Sequence, residues 1–133
     1  MKYIVHRRFK GKALCGDVNL PAMTELESEG GLITYNNSAL CYEGSENSHQ
    51  FFARNDDGTG MLRGRLTQSI QRRLMKHDKQ HQERWDKVWC DERCQSYRQP
   101  EYHNDWVWNH DFYNADIDVL QHIAKLVGAK EGA

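Results

Sequence analysis

The hydrophobic periodicity changes once along this chain, near Ser45, and that change limits the folds open to it. Before Ser45, short runs of β-branched and aromatic residues alternate with turn residues; after it, apolar side chains recur every three or four positions. Alternation is typical of strands and the longer repeat is typical of helices. We therefore expect an α+β fold, with a small antiparallel sheet or partial barrel at about 2–42 followed by three or four helices.

Turn residues divide the strand-forming part. Residues 3–9 and 13–20 are predicted to pair across a turn at 10–12. Residues 30–31, both Gly, and residues 36–37, both Asn, are predicted to form two further turns, because Gly and Asn tolerate a positive φ angle. Four or five short strands separated in this way indicate a small curled sheet.

Capping residues and apolar repeats indicate the helices. Ser45 is a good N-cap for a short helix at 46–54, which Asn55 would end in a left-handed conformation. Helices are also predicted at 61–77 and at about 80–94. A last helix would follow Asn114 and end at Gly128. The apolar stripe of the helix at 61–77 consists of Leu62, Leu66, Ile70 and Leu74.

Length and composition predict one soluble domain of 133 residues, β-rich over 1–44 and α-rich over 45–133. No apolar run approaches ~18 residues, so we expect no membrane partner. The first eight residues carry no apolar signal core, so a cytoplasmic location is the expectation. Cysteines of a cytoplasmic protein are reduced. We expect Cys15 and Cys41 to be small buried hydrophobic residues.

Three segments resemble short prophage-borne proteins of Gram-positive bacteria, a group without an established activity. The longest is SENSHQFFARNDDGTGMLRG at 45–64, and the others are YIVHRRFKG at 3–11 and NHDFYNAD at 109–116. The resemblance implies a phage or mobile-element context in the cytoplasm. It implies no functional residues.

Two pairs of potential metal ligands are spaced i, i+4, which places each pair on one helix face. They are His77 with His81, and Cys90 with Cys94. Two imidazoles and two thiolates form an ordinary tetrahedral zinc set. The Cys-x3-Cys spacing departs from the Cys-x2-Cys of most structural zinc sites.

Alternatives remain open for these ligands. His103 and His110 could replace His77 and His81 in a zinc set. The histidines could instead be solvated, with the cysteines packed against Trp85 or Trp89. We expect no cofactor unless zinc binds here.

Charge is uneven along a chain whose net charge is −1. Residues 61–84 hold seven Lys or Arg against two Asp or Glu, and residues 101–118 hold five acids and no Lys or Arg. On a helix, Arg65, Arg72 and Lys76 fall within about 40° of one another. This narrow basic stripe, with Arg73 beside it, is a candidate nucleic-acid interface.

The alternative for the basic residues is pairing with the acidic segment. Glu101, Asp105 or Asp111 would then lie near residues 61–84, within the chain or across a homodimer. A third candidate site is the loop at 55–60, which could hold a phosphate or a divalent cation. It lacks a Walker lysine and EF-hand spacing, so an ordinary solvated connection is the alternative.

Catalytic motifs are missing from the sequence: it has no Gly-x-Ser-x-Gly, no His-Glu-x-x-His and no Gly-x-Gly-x-x-Gly. His103 and His110 lie near acidic residues in the sequence, and such neighbours are expected by chance. Aromatic side chains are expected to form core: Trp85, Trp89, Trp106, Trp108, Phe112 and Tyr113.

We therefore expect a non-enzymatic accessory protein that binds a macromolecule, either protein or nucleic acid. The alternative is a small zinc-stabilised or metal-dependent protein, which could be an enzyme.

Overall fold

Strands and helices follow one another as the change of period predicts. The computed structural model describes residues 1–99 and 106–129. The strands are β1 (Lys2–Val5), β2 (Phe9–Ala13), β3 (Gly16–Leu20), β4 (Glu25–Glu29), β5 (Leu32–Tyr35), β6 (Ser38–Tyr42) and β7 (Phe52–Arg54). The helices are α1 (Glu46–Phe51), α2 (Gly60–Met75), α3 (His81–Cys90), α4 (Glu92–Gln95), α5 (His110–Tyr113) and α6 (Ile117–Val127). The α+β class is confirmed.

The chain divides into two compact units, Met1–Gly64 and Arg65–Ala133, and the boundary lies within α2. The β-rich part is longer than the predicted 1–44, because β7 extends it past α1. Whether the whole chain behaves as one domain stays a prediction.

The first unit is built on an open antiparallel sheet rather than a closed barrel. Five strands pair in the order β6-β5-β4-β1-β7, and β2 and β3 form a separate hairpin. Backbone N–H groups of Leu14 and Cys15 donate to carbonyls of Leu40 and Ala39, each at 2.9 Å, so the tip of this hairpin covers the β6 edge. The core of the unit consists of Tyr3, Val5, Phe9, Leu20, Leu26, Ile33, Leu40, Cys41 and Phe52.

Two predicted turns are confirmed and one is wrong. Gly30 and Gly31 adopt φ angles of 60° and 82°, and Asn36 and Asn37 adopt 49° and 66°. The turn expected at 10–12 is part of β2, because inward and outward positions continue to alternate through that segment. The chain reverses instead at residues 14–15, so Cys15 is exposed rather than buried.

The helix expected at 46–54 is shorter than predicted. Ser45 caps α1 as expected, accepting a hydrogen bond from the Ser48 backbone N–H at 3.3 Å. Residues 52–54 pair with β1 as strand β7, because Phe52 is thereby buried in the core. Asn55 has no left-handed conformation; its Oδ1 accepts from the Gly60 N–H at 2.8 Å.

The described helices outnumber the three or four predicted, mainly because the segment 80–94 is broken. Asp91 is extended, and its Oδ1 accepts from the Cys94 N–H at 3.1 Å, which ends α3 and caps a separate α4. The four-residue α5 is also additional. Asn114 follows α5, so the N-cap of α6 is Asp116 rather than Asn114.

Two features of the second unit are confirmed. Leu66, Ile70 and Leu74 are buried along α2, as the four-residue repeat predicts, whereas Leu62 of the same repeat is half-buried. Gly128 ends α6 with a φ angle of 72°. Both depend on local sequence alone.

Two glycines let the first turn of α2 approach β1 closely. A Cβ atom on Gly64 would clash with the ring and the Cβ of His6, and one on Gly60 would lie 2.6 Å from Cγ2 of Ile4. Gly to Ala inside a helix normally stabilises it by ~1 kcal/mol. We expect Gly64→Ala to destabilise the protein instead, by ~1–3 kcal/mol, through overpacking.

Chemical denaturation of Gly64→Ala, His6→Ala and the double variant tests this close approach. The double variant should recover part of the loss caused by Gly64→Ala, because the clashing ring atoms are gone while the Cβ of residue 6 would still lie 2.6 Å from the new methyl group. Gly11→Ala is the control, since its Cβ would meet only a ring atom of Phe9 at 3.9 Å. Simple additivity in the double variant would contradict the contact.

His6, which directly follows β1, carries a buried imidazole and is 9% exposed. Burial lowers its pKa from 6.5 to about 4, although a hydrogen bond to the His49 backbone partly opposes this. The unfolded chain therefore binds the proton first as the pH falls. We expect the free energy of unfolding to drop by ~2–3 kcal/mol between pH 7 and pH 4.5.

Urea titrations at both pH values check the titration of His6, with His6→Leu as the comparison. The leucine variant should lose much less stability over this interval. An equal loss in both proteins would assign the effect to other groups.

Candidate nucleic-acid interface

A buried arginine fixes the corner between α2 and α3. Arg84 on α3 is 3% exposed, and its Nη2 donates to the Lys76 carbonyl at 2.6 Å. The same guanidinium contacts both carboxylate oxygens of Asp78, at 2.9 and 3.2 Å. This contact holds the pKa of Asp78 below its usual range. A buried cation is tolerated only when paired, so the chain between the helices is held in one path.

A histidine also contacts the chain directly after α2. Nδ1 of His81 lies 2.9 Å from the same Lys76 carbonyl. Because a carbonyl oxygen can only accept, Nδ1 carries the proton of the neutral ring. The ring of His77 lies against it, with centroids 4.5 Å apart and planes tilted by 30°. The two predicted histidine ligands are therefore brought together.

The basic stripe reaches solvent at three of its four predicted residues. Arg65 and Arg72 are exposed on α2, and Lys76 is exposed directly after it. Among the described residues, no carboxylate lies within 4.0 Å of Arg65 or Arg72, and Lys76 Nζ lies 4.0 Å from Asp78. Arg73 has a structural role: it is half-buried, with Nε 3.4 Å from the Val127 carbonyl at the end of α6. A cation there complements the helix dipole.

The described residues test the predicted pairing of the basic and acidic segments only in part. Asp111 forms no ion pair with residues 61–84 within the described part of the chain. Glu101 and Asp105 lie outside the described residues, as does His103. Pairing at longer range, or across a homodimer, stays a prediction.

The cysteines predicted to complete a zinc set differ in environment. Cys90 is exposed at the end of α3, whereas Cys94 is buried on α4. Burial and the nearby Asp91 raise the pKa of the Cys94 thiol to about 12. Zinc binds the thiolate, so this environment disfavours the ligand form.

No group of three or more His, Cys, Asp or Glu side chains is arranged to hold a metal within residues 1–99 and 106–129. The alternative ligand His110 has its Nε2 2.9 Å from Nδ2 of Asn114, within the same short helical segment. The zinc set stays a prediction.

The carboxylates of the loop at 55–60 accept hydrogen bonds from other groups of the protein. Asp56 accepts from the Lys2 N–H and from Arg54 Nε, at 2.8 and 3.0 Å. Asp57 accepts from the Thr59 N–H at 3.0 Å and from Arg63 Nη2 at 3.1 Å. These bonds hold the pKa of both carboxyls below its usual range. The loop thus has the features of a tightly bonded connection.

Sequence reasoning missed one contact. Nε2 of His122 on α6 lies 2.8 Å from Oδ2 of Asp91, and the other oxygen of Asp91 caps α4 near Cys94. The carboxylate thus stands between thiol and imidazole, so the imidazole is not placed to take the thiol proton. The pair ties α6 to the junction of α3 and α4. No local pattern connects residues 31 positions apart.

The aromatic residues are only partly core. Trp106, Trp108 and Phe112 are buried as expected, and the rings of Trp108 and Phe112 stack at 4.0 Å. Trp85 and Tyr113 are half-buried. Trp89 is 37% exposed, so the expectation that it is core is wrong.

Comparisons with protein-family models, curated proteins and solved structures return no match. None of the described helices is both long and apolar enough to cross a membrane. The arrangement of the residues themselves therefore carries the functional argument.

Thiol labelling distinguishes the four cysteines. Cys15 and Cys90 are exposed, whereas Cys41 and Cys94 are buried. We expect the native protein to label at two thiols with a water-soluble reagent, and at all four after denaturation. Cys90→Ser should remove one of the two native sites. Protection of Cys90 that a chelator reverses would contradict this expectation and favour zinc.

Proposed function

We propose that the protein is a non-enzymatic accessory protein of a phage or mobile element, and that it binds nucleic acid through the basic stripe of α2. The observation that carries the proposal is the exposure of Arg65 and Arg72 on one face of α2, with Lys76 exposed directly after its last residue. Phosphate contacts need cations on a single accessible face. The proposal places this activity in the cytoplasm.

Other arginines of the region are already used by the fold. Arg84 bonds to Asp78, and Arg73 lies at the end of α6. Arg65 and Arg72 contact no carboxylate within the described residues. A cation without a carboxylate partner among the described residues is available to an anionic ligand.

The dimensions of the stripe suit a phosphate backbone. From Arg65 to Lys76 the helix rises about 16 Å. One nucleic-acid strand carries a phosphate for each ~3.4 Å of duplex axis, so the stripe would face about five phosphates. The net charge of the whole chain is −1, so the molecule as a whole does not attract nucleic acid. The attraction would come from this face alone.

The phage or mobile-element context is supported by the resemblance at 3–11, 45–64 and 109–116. That resemblance points to no catalytic residue. The tight internal bonding of the loop at 55–60 also favours a structural role there. Binding without catalysis is the function that these observations support best.

Fluorescence anisotropy with labelled oligonucleotides tests the proposal across a salt series. Affinity should fall steeply with salt, and Arg65→Glu/Arg72→Glu should weaken binding at least ~10-fold and reduce the log–log slope by about 2. Lys10→Glu/Lys12→Glu makes the same charge change at two exposed residues of β2 and should have little effect. Absence of binding at 50 mM salt, or an equal loss in the control, would contradict the proposal.

A further inference from the structure

Four ring side chains follow one another at intervals of four residues from the end of α2 along α3. We define His77, His81, Trp85 and Trp89 as the ring ladder. On α3, the three rings from His81 to Trp89 lie within about 80° around the axis and about 6 Å apart along it. Val88, at the side of this arc, is buried. The ladder therefore runs beside the buried face of α3.

Every ring of the ladder reaches solvent. His77 and Trp89 are exposed, and His81 and Trp85 are half-buried. His77 and His81 are already at stacking distance, so they form one platform. Trp85 meets the His81 ring by its edge, at 6.3 Å between centroids. An exposed row of rings is costly to leave in water and is typical of a binding surface.

Cations lie at both ends of the ladder. Lys76 directly precedes His77, and Lys79 is exposed between the two histidines in sequence. At the other end, the Arg98 guanidinium lies 4.2 Å from the centre of the Trp89 ring. Acidic Glu83 and Asp86 fall about 140–200° around α3 from His81, away from most of the ladder.

Rings combined with cations match one ligand chemistry. The bases of single-stranded nucleic acid stack on aromatic side chains, and its phosphate backbone binds along a row of cations. A duplex hides its base faces, so it would use the cations alone. A docked protein would need no cations along the row.

Resting on the proposed function, we infer that the ring ladder is a stacking surface for single-stranded DNA or RNA. The basic stripe of α2 would hold phosphates, and the ladder would hold bases. His77, His81 and Trp85 then act in binding, where the sequence indicated a zinc pair and a core residue. The protein would prefer single strands to duplexes.

Binding of a labelled 20-nucleotide single strand and of the matching duplex, at one salt concentration, tests the inference. Trp85→Leu keeps the apolar bulk and removes the ring, and should weaken single-strand binding about 5- to 150-fold, given ~1–3 kcal/mol per stacked base. Trp85→Phe should retain most of the affinity. Duplex binding should change less than twofold in both variants.

A second variant and a control keep the test independent of folding. His77→Ala removes an exposed ring and should also weaken single-strand binding. Tyr42→Ala removes an exposed ring of the first unit and should change nothing. Thermal unfolding of each variant verifies that it is folded.

The outcomes separate the two proposals. Equal binding of both oligonucleotides, unchanged in Trp85→Leu and His77→Ala, would overturn the ladder inference and leave the basic stripe as the binding surface. Failure of the wild-type protein to bind either oligonucleotide would overturn both.

Discussion

The buried guanidinium of Arg84 is the contact on which the proposed binding surface depends. It joins the connection that follows α2 to α3 by bonding to the Lys76 carbonyl and to the Asp78 carboxylate. Removing a cation from water costs several kcal/mol unless it is paired, and Arg84 is paired through both Nη atoms, while its Nε has no hydrogen-bond partner among the described residues. This corner therefore has few alternative arrangements. The basic stripe ends and the ring ladder begins at this corner, because Lys76 and His77 are consecutive residues. A rigid corner therefore presents cations and rings together, with little ordering left for a ligand to impose.

The first unit uses a buried arginine in the same way. Arg63 is almost fully buried and donates to the Arg54 carbonyl at 2.6 Å and to Asp57. Together with the close approach of Gly64 to His6, this holds the start of α2 against β1. Arginines with internal carboxylate and carbonyl partners are thus structural in both units. Arg65 and Arg72 have no such partners within the described residues, and that contrast separates candidate binding residues from structural ones.

Sequence reasoning succeeded where the cause is local. Asn36 and Asn37 tolerate a positive φ angle wherever they occur, and the repeat Leu66, Ile70, Leu74 defines a buried face without any knowledge of its neighbour. It failed where a distant partner decides. Residues 52–54 favour a strand only because β1 offers an edge. Asp91 breaks a helix that its neighbours would continue, and it bonds to His122 on α6.

The same division holds for the candidate site. Helical geometry alone placed Arg65, Arg72 and Lys76 on one face, and the structure leaves all three exposed. The role of Arg73 was not predictable, because it depends on the end of α6, 54 residues away. The rings of His77 and His81 lie together, although His77 precedes α3 and the two do not share a helix face as their spacing predicted. Spacing does not distinguish a metal pair from stacked rings. The row of rings continues with Trp85 and Trp89, both partly exposed on α3. This continuation indicates a stacking surface rather than a metal pair.

The central claim is that nucleic acid binds to the α2–α3 face of the second unit. An NMR titration of the ¹⁵N-labelled protein with a short single-stranded oligonucleotide tests it most directly. The account predicts that amide signals of residues 65–90 and the indole signals of Trp85 and Trp89 shift in proportion to occupancy, while those of the five-stranded sheet stay in place. Shifts concentrated on the sheet, with residues 65–90 unchanged, would contradict it.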